Sequence, residues 1–328
     1  MVSTKKALSM SRVAPRYLPY MERAETDIHE IRQRRGEQNV NVTLLAHSKE
    51  KKIPILMYHS ISEPERVNNQ LWPFAVSPAL FTEHIKYLYE HGYTSLTITQ
   101  LITLLYHNRQ SLPEQPVVVT FDDGYADFFA NALPVLKRHN FVATIYIPTA
   151  FVGSTSNWLL REREATHPIL TWDQIVEING QGIECGGHSH THPQLDLLPL
   201  STARREIVQS KELLEHHLGQ KIASFCYPHG YHSVDLQRTV KEAGYTSACG
   251  VKHEMSLETT NPFSLGRLQV CADTGVDALA TLLTSSPPSP ATLLYKRASA
   301  PVWRLVRYCS NSMTRLSALG NASTVVKE

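Results

Sequence analysis

Two groups of polar residues in this chain have the types and the spacing that chemistry requires. Asp122 and Asp123 stand side by side after the apolar run VVVTF, and a glycine follows them. His188, His190 and His192 lie within five residues of one another further along the chain. Adjacent carboxylates oppose each other's ionisation, so the pair needs a cation, a proton donor or open water nearby. Because histidine is the commonest metal ligand, the two groups together suggest a metal site.

Two imidazoles and one carboxylate can hold a divalent cation and leave positions open for water and substrate. The spacing of His188 and His192 predicts that both rings lie on one side of a helical turn, with His190 pointing elsewhere. One aspartate would complete the site, and the other would act as a base on water. Either motif alone is weak, because DDG often marks a turn and clustered histidines often lie in solvated loops. Because the two motifs occur together and each follows a predicted strand, a catalytic metal site is favoured over a turn and a solvated loop.

The elements that must position these residues alternate along the chain. Strands are predicted at IPILMYHSIS, VVVTF, FVATIYIPT, IECGGH, SFCYP, YTSACGV and FSLGRLQV, with helices between them. Ser201 is expected to open the longest helix, and Gly186 and Gly187 are expected to allow a tight turn. About seven strands over roughly 230 residues favour an α/β barrel, in which the chemistry lies where strands end.

The composition is that of an ordinary globular protein. The chain has 328 residues, of which 42% are hydrophobic and 19% charged, and its net charge of +2 does not favour nucleic-acid binding. The five cysteines have no C-x-x-C spacing, which predicts reduced, buried thiols. We find neither a signal-peptide pattern nor an apolar run of membrane-spanning length. These features predict a cytoplasmic location, with export by an unrecognised route as the alternative.

The pattern divides the chain into three parts. Residues 1–52 are expected to form a polar tail, residues 53–285 a catalytic domain, and residues 286–328 a basic tail. The basic tail mixes apolar side chains with lysine and arginine. It could contact a membrane surface or a protein partner as an amphipathic segment, or it could simply cover the edge of the barrel. The sequence does not specify an oligomeric state.

The motifs TFDDG and HSHTH, in this order, resemble the polysaccharide deacetylase family, also called carbohydrate esterase family four or the NodB-homology domain. ILMYHSIS, FCYPHG, EAGYTSA and LGRLQV are similar to further family segments, so the resemblance covers about residues 53–283. It implies a distorted (β/α)7-type barrel and hydrolysis of an N- or O-acetyl group on a sugar. It also implies a divalent metal, for which zinc is the first expectation and cobalt or nickel the alternatives.

The resemblance also implies roles for individual residues. By motif position these are Asp122 as the catalytic base, Asp123, His188 and His192 as the metal ligands, and Tyr125, Tyr227 and Pro228 as substrate contacts. The metal would acidify its water and polarise the acetyl carbonyl, while Asp122 would remove a proton from that water. The implied partner is an N-acetylated oligosaccharide or polysaccharide.

Two positions depart from the family pattern. Cys226 stands where the family usually carries an arginine that orients the base, and Arg267 is the candidate replacement. No C-terminal Leu–His motif provides a general acid. The segment LMYH resembles a subgroup that acts on β-1,6-linked poly-N-acetylglucosamine, which makes His59 the candidate acid. The simpler alternatives are that Cys226 is an ordinary strand residue and that His59 caps the first strand.

Three functions therefore stay open at the level of sequence. The leading hypothesis is a metal-dependent deacetylase of N-acetylated sugars. The alternatives are an O-acetyl carbohydrate esterase that uses the same machinery and a catalytically silent carbohydrate-binding barrel. The complete set of two aspartates and two histidines argues against a silent barrel, because a domain that only binds sugar does not need all four.

Overall fold

A computed structural model describes residues 51–68, 71–251, 255–257, 260–284 and 304. The predicted N-terminal tail lies outside the described residues except for its last two positions. Of the predicted C-terminal tail only Arg304 is described, and its Nε donates a hydrogen bond to the carbonyl of Asp196 at 2.9 Å. No helix within the described ranges combines the length and the apolar character needed to cross a bilayer.

Strands and helices alternate through the described residues. The strands are β1 (Lys52–Ile53), β2 (Ile55–Tyr58), β3 (Thr94–Leu96), β4 (Pro116–Phe121), β5 (Thr144–Ile147), β6 (Glu184–Gly187), β7 (Ser224–Cys226), β8 (Ser247–Cys249), β9 (Ser256–Leu257) and β10 (Leu268–Gln269). The helices are α1 (Pro78–Glu90), α2 (Ile98–His107), α3 (Leu133–Arg138), α4 (Trp172–Gly180), α5 (Leu200–Leu218), α6 (Val234–Glu242) and α7 (Val276–Thr284).

The main sheet is parallel and curls into a distorted barrel. Its strand order is β10-β2-β4-β5-β6-β7-β8, and β3 joins it as a branch beside β4. A parallel bridge between Cys249 and Leu265 links β8 to the segment that leads into β10, so the two outer strands approach each other. This is the distorted (β/α)7-type barrel that the sequence predicts. The short strands β1 and β9 form a separate antiparallel pair.

Strand β4 shows why an unbroken apolar run is needed in this sheet. Val117, Val119 and Phe121 pack in the larger core cluster together with residues of the surrounding helices. Val118 packs in a second cluster with side chains of the other strands. Because successive side chains point to opposite faces, a strand covered on both faces must be apolar at every position. The N-terminal residues of α2 join this second cluster, beginning with Ile98.

The observed elements differ from the predicted ones mainly at their ends. The strands β1, β3 and β9 are missing from the prediction, because two or three residues carry no detectable period. Helix α5 begins at Leu200 after Pro199, one residue before the predicted Ser201. The helix between β4 and β5 is composite, with a π-helical turn over Phe128–Ala132 that continues into α3.

Candidate active site

The carboxyl ends of four parallel strands bring the predicted site residues to one edge of the barrel. His59 follows β2, Asp122 follows β4, His188 follows β6 and Tyr227 follows β7. Parallel strands end on the same side of a sheet, so residues far apart in sequence become neighbours there. The positions of these chain segments therefore follow directly from the topology.

The backbone at the DDG motif separates the two carboxylates. Asp122 still pairs like a strand residue, since its amide donates to the carbonyl of Tyr58 at 3.0 Å. Asp123 and Gly124 then adopt the left-handed region, with φ of 72° and 65°. Aspartate tolerates this region better than most residues, and glycine adopts it freely. The turn therefore sends the two neighbouring side chains in different directions.

The two ligand-type histidines are brought together by a loop, so the predicted helical turn is wrong. His188 still follows the strand direction, and its amide donates to the carbonyl of Ile147 at 3.1 Å. Ser189 and His192 both have positive φ, at 60° and 57°, and the segment has no helical assignment. A hydrogen bond of 3.0 Å from the amide of His192 to Oγ of Ser189 closes the loop.

The middle of this loop is fixed from α5 and points away from the cluster. The carboxylate of Glu206 accepts hydrogen bonds from the amides of His190 and Thr191 at 3.0 and 2.7 Å. The Nδ1 atom of His190 lies 3.0 Å from Oγ1 of Thr149. His190 is thereby engaged outside the group formed by the other two histidines.

Gly186 and Gly187 serve close packing and do not provide the predicted tight turn. Both lie within β6, and neither has a positive φ. A Cβ atom on Gly186 would lie 2.6 Å from the ring of Tyr146, and one on Gly187 would lie 2.3 Å from the hydroxyl of Tyr245. Side chains of this size can pack on β6 only because these positions have none.

Three side chains converge with the geometry of a metal site. The Nε2 atoms of His188 and His192 lie 3.4 and 3.1 Å from Oδ1 of Asp123. These separations match the edge of about 3.3 Å expected for a tetrahedron of ligands around Zn²⁺ at about 2.0 to 2.1 Å. The Nδ1 atom of His188 lies 2.9 Å from the carbonyl of Cys226, a contact that assigns the proton to Nδ1 and leaves the Nε2 lone pair free. The residues therefore fit a divalent cation.

His192 is held differently from His188. Its Nδ1 atom is buried and has no hydrogen-bond partner among the described residues. Its ring packs against those of Trp158 and His229, each with ring centres 5.0 Å away. Both histidines are buried, as is Asp123. Burial favours the neutral acid at Asp123, but the imidazoles of His192 and His188 outweigh this and hold the pKa of that carboxyl well below its usual range.

Asp122 is paired with a cation from the residue that directly precedes β10. Nη1 and Nη2 of Arg267 each donate to one oxygen of Asp122 at 2.7 Å. The arginine is fully buried, and it also donates to Oγ1 of Thr120 and to the carbonyl of Gly250. Burial alone would raise the pKa of Asp122, but the arginine more than offsets this, so the pKa lies below its usual value.

Cys226 is the small neighbour of this ion pair. Its Sγ atom lies 3.0 Å from Nη2 of Arg267 and 3.6 Å from Oδ2 of Asp122. Burial raises the pKa of this thiol well above its ordinary value, so the side chain is neutral at physiological pH. The guanidinium of Arg267 thus contacts both Asp122 and the thiol of Cys226.

His59 stands at the same edge, on the other side of the two aspartates in the strand order. Its Nδ1 atom is buried and has no hydrogen-bond partner within the described ranges. Its ring packs edge-on against Phe74, with ring centres 4.8 Å apart. Burial lowers the pKa of His59, while the carboxylates of Asp123 and Asp122 act in the opposite direction.

A cavity of about 430 Å³ connects these groups. Its lining includes His59, Asp122, Asp123, Tyr125, His188 and His192. Burial and the nearby Asp123 and Asp127 carboxylates raise the pKa of Tyr125 well above its ordinary value, so its hydroxyl remains a hydrogen-bond donor. The cavity thus presents proton acceptors, proton donors and ligand atoms on one surface.

Two predicted substrate contacts do not reach this cavity. Tyr227 is fully buried, its hydroxyl donates to the carbonyl of Phe263 at 3.1 Å, and its ring stacks on His232. Pro228 is also buried, and neither residue belongs to the cavity lining. Their strand end turns inward, so the structure does not bring Tyr227 and Pro228 to the cavity, and their contact with substrate stays a prediction. The neighbouring His229 and Tyr231 line the cavity instead.

One wall of the cavity comes from the loop after β5 and is not predicted by the sequence motifs. Trp158 and His167 both line the cavity. Nε2 of His167 lies 2.6 Å from Oε2 of Glu164, whose other oxygen accepts the amide of Asn68 at 2.6 Å. Because Asn68 lies in the loop after β2, the two loops join each other beside the site. The apolar run Trp158-Leu159-Leu160 within a polar loop is the sequence signal for this wall.

Comparison with known proteins agrees with this geometry. Residues 109–248 match the family model described as polysaccharide deacetylase. YxkH of Bacillus subtilis, whose name places it in the same class, is 28% identical over 219 residues, covering 67% of this chain and 71% of the relative. Residues 109–248 are therefore similar to a polysaccharide deacetylase domain. The poly-β-1,6-N-acetyl-D-glucosamine N-deacetylase of Staphylococcus aureus is 24% identical over 243 residues, covering 69% of this chain and 81% of that enzyme.

The fold of the barrel is shared with a solved structure. The Streptococcus pyogenes deacetylase PplD, determined in complex with acetate, superimposes with a TM-score of 0.61 at 25% identity. The match covers 72% of this chain and all of that one, 100%. The aspartate pair and the histidines fall inside the range of the family model, whereas His59 and Arg267 fall outside it.

Proposed function

We propose that this protein is a metal-dependent hydrolase that removes N-acetyl groups from N-acetylated sugars or polysaccharide. The observation that carries the proposal is the convergence of Asp123, His188 and His192 beside an arginine-paired carboxylate on one cavity. The family match and the activity named for the Staphylococcus aureus relative support the substrate class.

The metal would be held by the carboxylate of Asp123 and by Nε2 of His188 and His192. A divalent cation bound there would acidify a water and polarise the acetyl carbonyl, and zinc suits this set of nitrogen and oxygen donors. The hydrogen bond from Nδ1 of His188 to the carbonyl of Cys226 keeps that ring oriented for the purpose.

Asp122 is the proposed general base. It lines the cavity directly beside the ligand Asp123, and it can take the proton of the attacking water. Arg267 is the proposed positioning residue for this base, because its two N–H groups fix both carboxylate oxygens. Asp122 does not need to bind the metal, since its oxygens already face the guanidinium.

His59 is the proposed general acid. Breaking an amide bond needs a proton on the departing amine, and His59 faces the same cavity as Asp122 from the neighbouring strand. Tyr125 is the proposed substrate contact among the three that the sequence indicated, because it is the one that lines the cavity. Its protonated hydroxyl can donate to the acetyl oxygen or to a sugar hydroxyl.

The test combines metal analysis with acetate release. The purified protein is analysed for bound metal, stripped with a chelator and reloaded with Zn²⁺, Co²⁺ or Ni²⁺. Acetate release is then measured on β-1,6-linked N-acetylglucosamine oligomers and on O-acetylated xylo-oligosaccharides. We expect metal-dependent release from the N-acetylated substrate. Release from the esters alone would contradict the proposal in favour of an esterase, and sugar binding without release would indicate a silent barrel.

A further inference from the structure

Asp127 closes the segment DDGYAD and has no part in the proposed chemistry. Its carboxylate is half-buried in the loop after β4, four residues beyond Asp123. Both of its oxygens are engaged by the loop after β2. Oδ2 accepts from Oγ of Ser60 at 2.6 Å, and Oδ1 accepts from the amide of Ile61 at 3.1 Å. The side chain of Asp127 thereby hydrogen-bonds to two consecutive residues that lie more than sixty positions earlier in the chain.

Asn131, four residues after Asp127, also hydrogen-bonds to this segment. Its Nδ2 donates to the carbonyl of Ile61 at 2.7 Å. Asn131 lies in the π-helical turn Phe128–Ala132, which immediately follows Asp127. The amide and the carbonyl of Ile61 are therefore both bound by the segment that follows the DDG motif.

The opposite side of the same short segment is bound by a third stretch of chain. The amide of Ser60 donates to the carbonyl of Phe74 at 3.2 Å, and the carbonyl of Ser60 accepts from the amide of Val76 at 3.0 Å. All four backbone polar groups of Ser60 and Ile61 are thus satisfied within the structure. Since unpaired buried groups are costly, this segment has one strongly preferred conformation.

His59 directly precedes this segment and has little else to hold it. Its Nδ1 atom makes no hydrogen bond to any described residue, and the contact of its ring is the edge-on packing against Phe74. Its direction must therefore be set by the backbone on which it stands. We infer that Asp127 is a positioning residue that aims His59 into the cavity by fixing Ser60 and Ile61. The inference rests on the proposed role of His59 as the general acid.

Loss of the hydrogen bonds of Asp127 should have a measurable effect on the rate, because proton transfer from His59 depends steeply on distance. A displacement of about 1 Å at a catalytic group can cost on the order of a hundredfold in rate. Asp127→Ala removes both acceptors at once. Asp127→Asn keeps an acceptor for the amide of Ile61, and the hydroxyl of Ser60 can turn to accept from the new amide. The two variants therefore separate loss of geometry from loss of charge.

The experiment measures kcat and KM on an N-acetylated glucosamine oligomer and on 4-nitrophenyl acetate. The variants are Asp127→Ala, Asp127→Asn, His59→Ala and the double variant His59→Ala/Asp127→Ala. We expect Asp127→Ala to lower kcat on the amide about tenfold to a hundredfold, with full metal content and a much smaller loss on the aryl ester. A phenolate leaves without protonation, whereas an amine does not. Asp127→Asn should retain most of the amide activity.

The double variant decides whether Asp127 acts through His59. When His59 is absent, the orientation of its ring cannot affect the rate. Asp127→Ala should therefore change kcat less than twofold in the His59→Ala background. Additive losses, or equal losses on both substrates, would overturn the inference while leaving the acid role of His59 intact. Equal losses on both substrates in His59→Ala itself would overturn the acid role, and the inference with it.

Two further variants guard against a folding defect. Asn131→Ala removes the donor to the carbonyl of Ile61 and should show the same preference for loss on the amide, at smaller size. Glu184→Ala is the matched control, because Glu184 is also a half-buried carboxylate that accepts a backbone N–H and hydroxyl donors, but at the far end of the barrel. It should leave the ratio of amide to ester turnover unchanged. A shift of that ratio in the control equal to that in Asp127→Ala would overturn the inference.

Discussion

The two ends of the barrel use carboxylates in different ways. At the amino end of β6, Glu184 accepts hydrogen bonds from the amide and the hydroxyl of Thr99 at 3.1 and 2.5 Å and from the hydroxyl of Thr144 at 2.8 Å. The donors are neutral, and two of them belong to the first turn of α2, where a negative charge is favourable. The carboxylate ties α2 to the sheet.

At the carboxyl end, Asp122 and Asp123 face a permanent cation and two imidazoles beside a cavity. The imidazoles can exchange a proton or bind a metal and the guanidinium fixes a charge beside the base, whereas the threonines around Glu184 can do neither at physiological pH. The comparison shows that a carboxylate indicates function when its partners are charged or metal-ligating side chains and it borders open space. Burial and hydrogen bonding alone do not distinguish the two ends.

The largest expected effect is the loss of the metal at the carboxyl end. His188→Ala removes one of three proposed ligands, so metal affinity should fall by more than the roughly tenfold to hundredfold typical of changes around a ligand. Acetate release should fall to background together with bound metal. His190→Ala is the matched control, because that ring is bound to Thr149 outside the cluster. Full metal occupancy in His188→Ala would remove this histidine from the site, and metal loss in the control would reassign the ligands.

A smaller effect is expected when the base loses its charge. Asp122→Asn should keep the metal and lose about 10² to 10⁴ in kcat, the usual contribution of general acid–base catalysis. It also leaves Arg267 buried without its anion, so the free energy of unfolding should fall by a few kcal/mol. Activity must therefore be measured per folded molecule, with the folded fraction checked by circular dichroism. Turnover within a factor of a few of wild type would place the base elsewhere.

The sequence predicted the site residues that sit in local motifs at strand ends. Asp123, His188 and His192 do converge, because parallel strands end on one edge and motif positions are tied to those ends. The sequence did not predict the conformation of the loop between His188 and His192. That conformation depends on two residues in the left-handed region and on Glu206 from α5. The four-residue spacing of His188 and His192 suggested a helical turn, but the same spacing also fits a loop that folds back on itself.

Contacts between distant loops were beyond the reach of local patterns. The sequence of the loop after β5 does not predict that Trp158 packs on His192. Tyr227 follows a strand end as the site residues do, but its ring turns inward onto His232. The pairing of Arg267 with Asp122 came from the family resemblance and not from any spacing, because 145 residues separate the two. Such contacts are decided by packing across the barrel.

At the amino end, loss of the carboxylate should affect stability and leave catalysis unchanged. Glu184→Gln keeps the shape of the side chain but removes the charge and one acceptor. Charge-assisted hydrogen bonds of this kind contribute about 1.5 to 3 kcal/mol, so the free energy of unfolding in urea should fall by an amount of that order. Turnover and metal content should stay at wild-type levels. A loss of kcat comparable to that of Asp122→Asn would abolish the distinction between the two ends.

The smallest effect concerns a buried histidine that lies away from the site. His84 on α1 is fully buried, with Nδ1 3.1 Å from the hydroxyl of Tyr58 and Nε2 2.7 Å from the carbonyl of Thr274. The carbonyl requires a proton on Nε2, so Nδ1 accepts from Tyr58 and the ring is neutral. Burial lowers the pKa of His84, while the Thr274 carbonyl acts in the opposite direction.

A lowered pKa in the folded state means that the unfolded chain binds the proton first. The stability that neutral His84 contributes is therefore full above the unfolded pKa of about 6.5 and declines as the pH falls below it. His84→Gln keeps a donor for Thr274 and cannot titrate. We expect the urea stability of wild type to fall more steeply than that of His84→Gln between about pH 6.5 and pH 5, by at most about 1.4 kcal/mol for each pH unit over which the folded ring stays neutral. Parallel pH curves for the two proteins would show that this ring is not forced to stay neutral. Turnover at pH 7.5 should be the same in both, because a histidine whose two nitrogens meet a hydroxyl and a carbonyl inside the core has no open space in which to act.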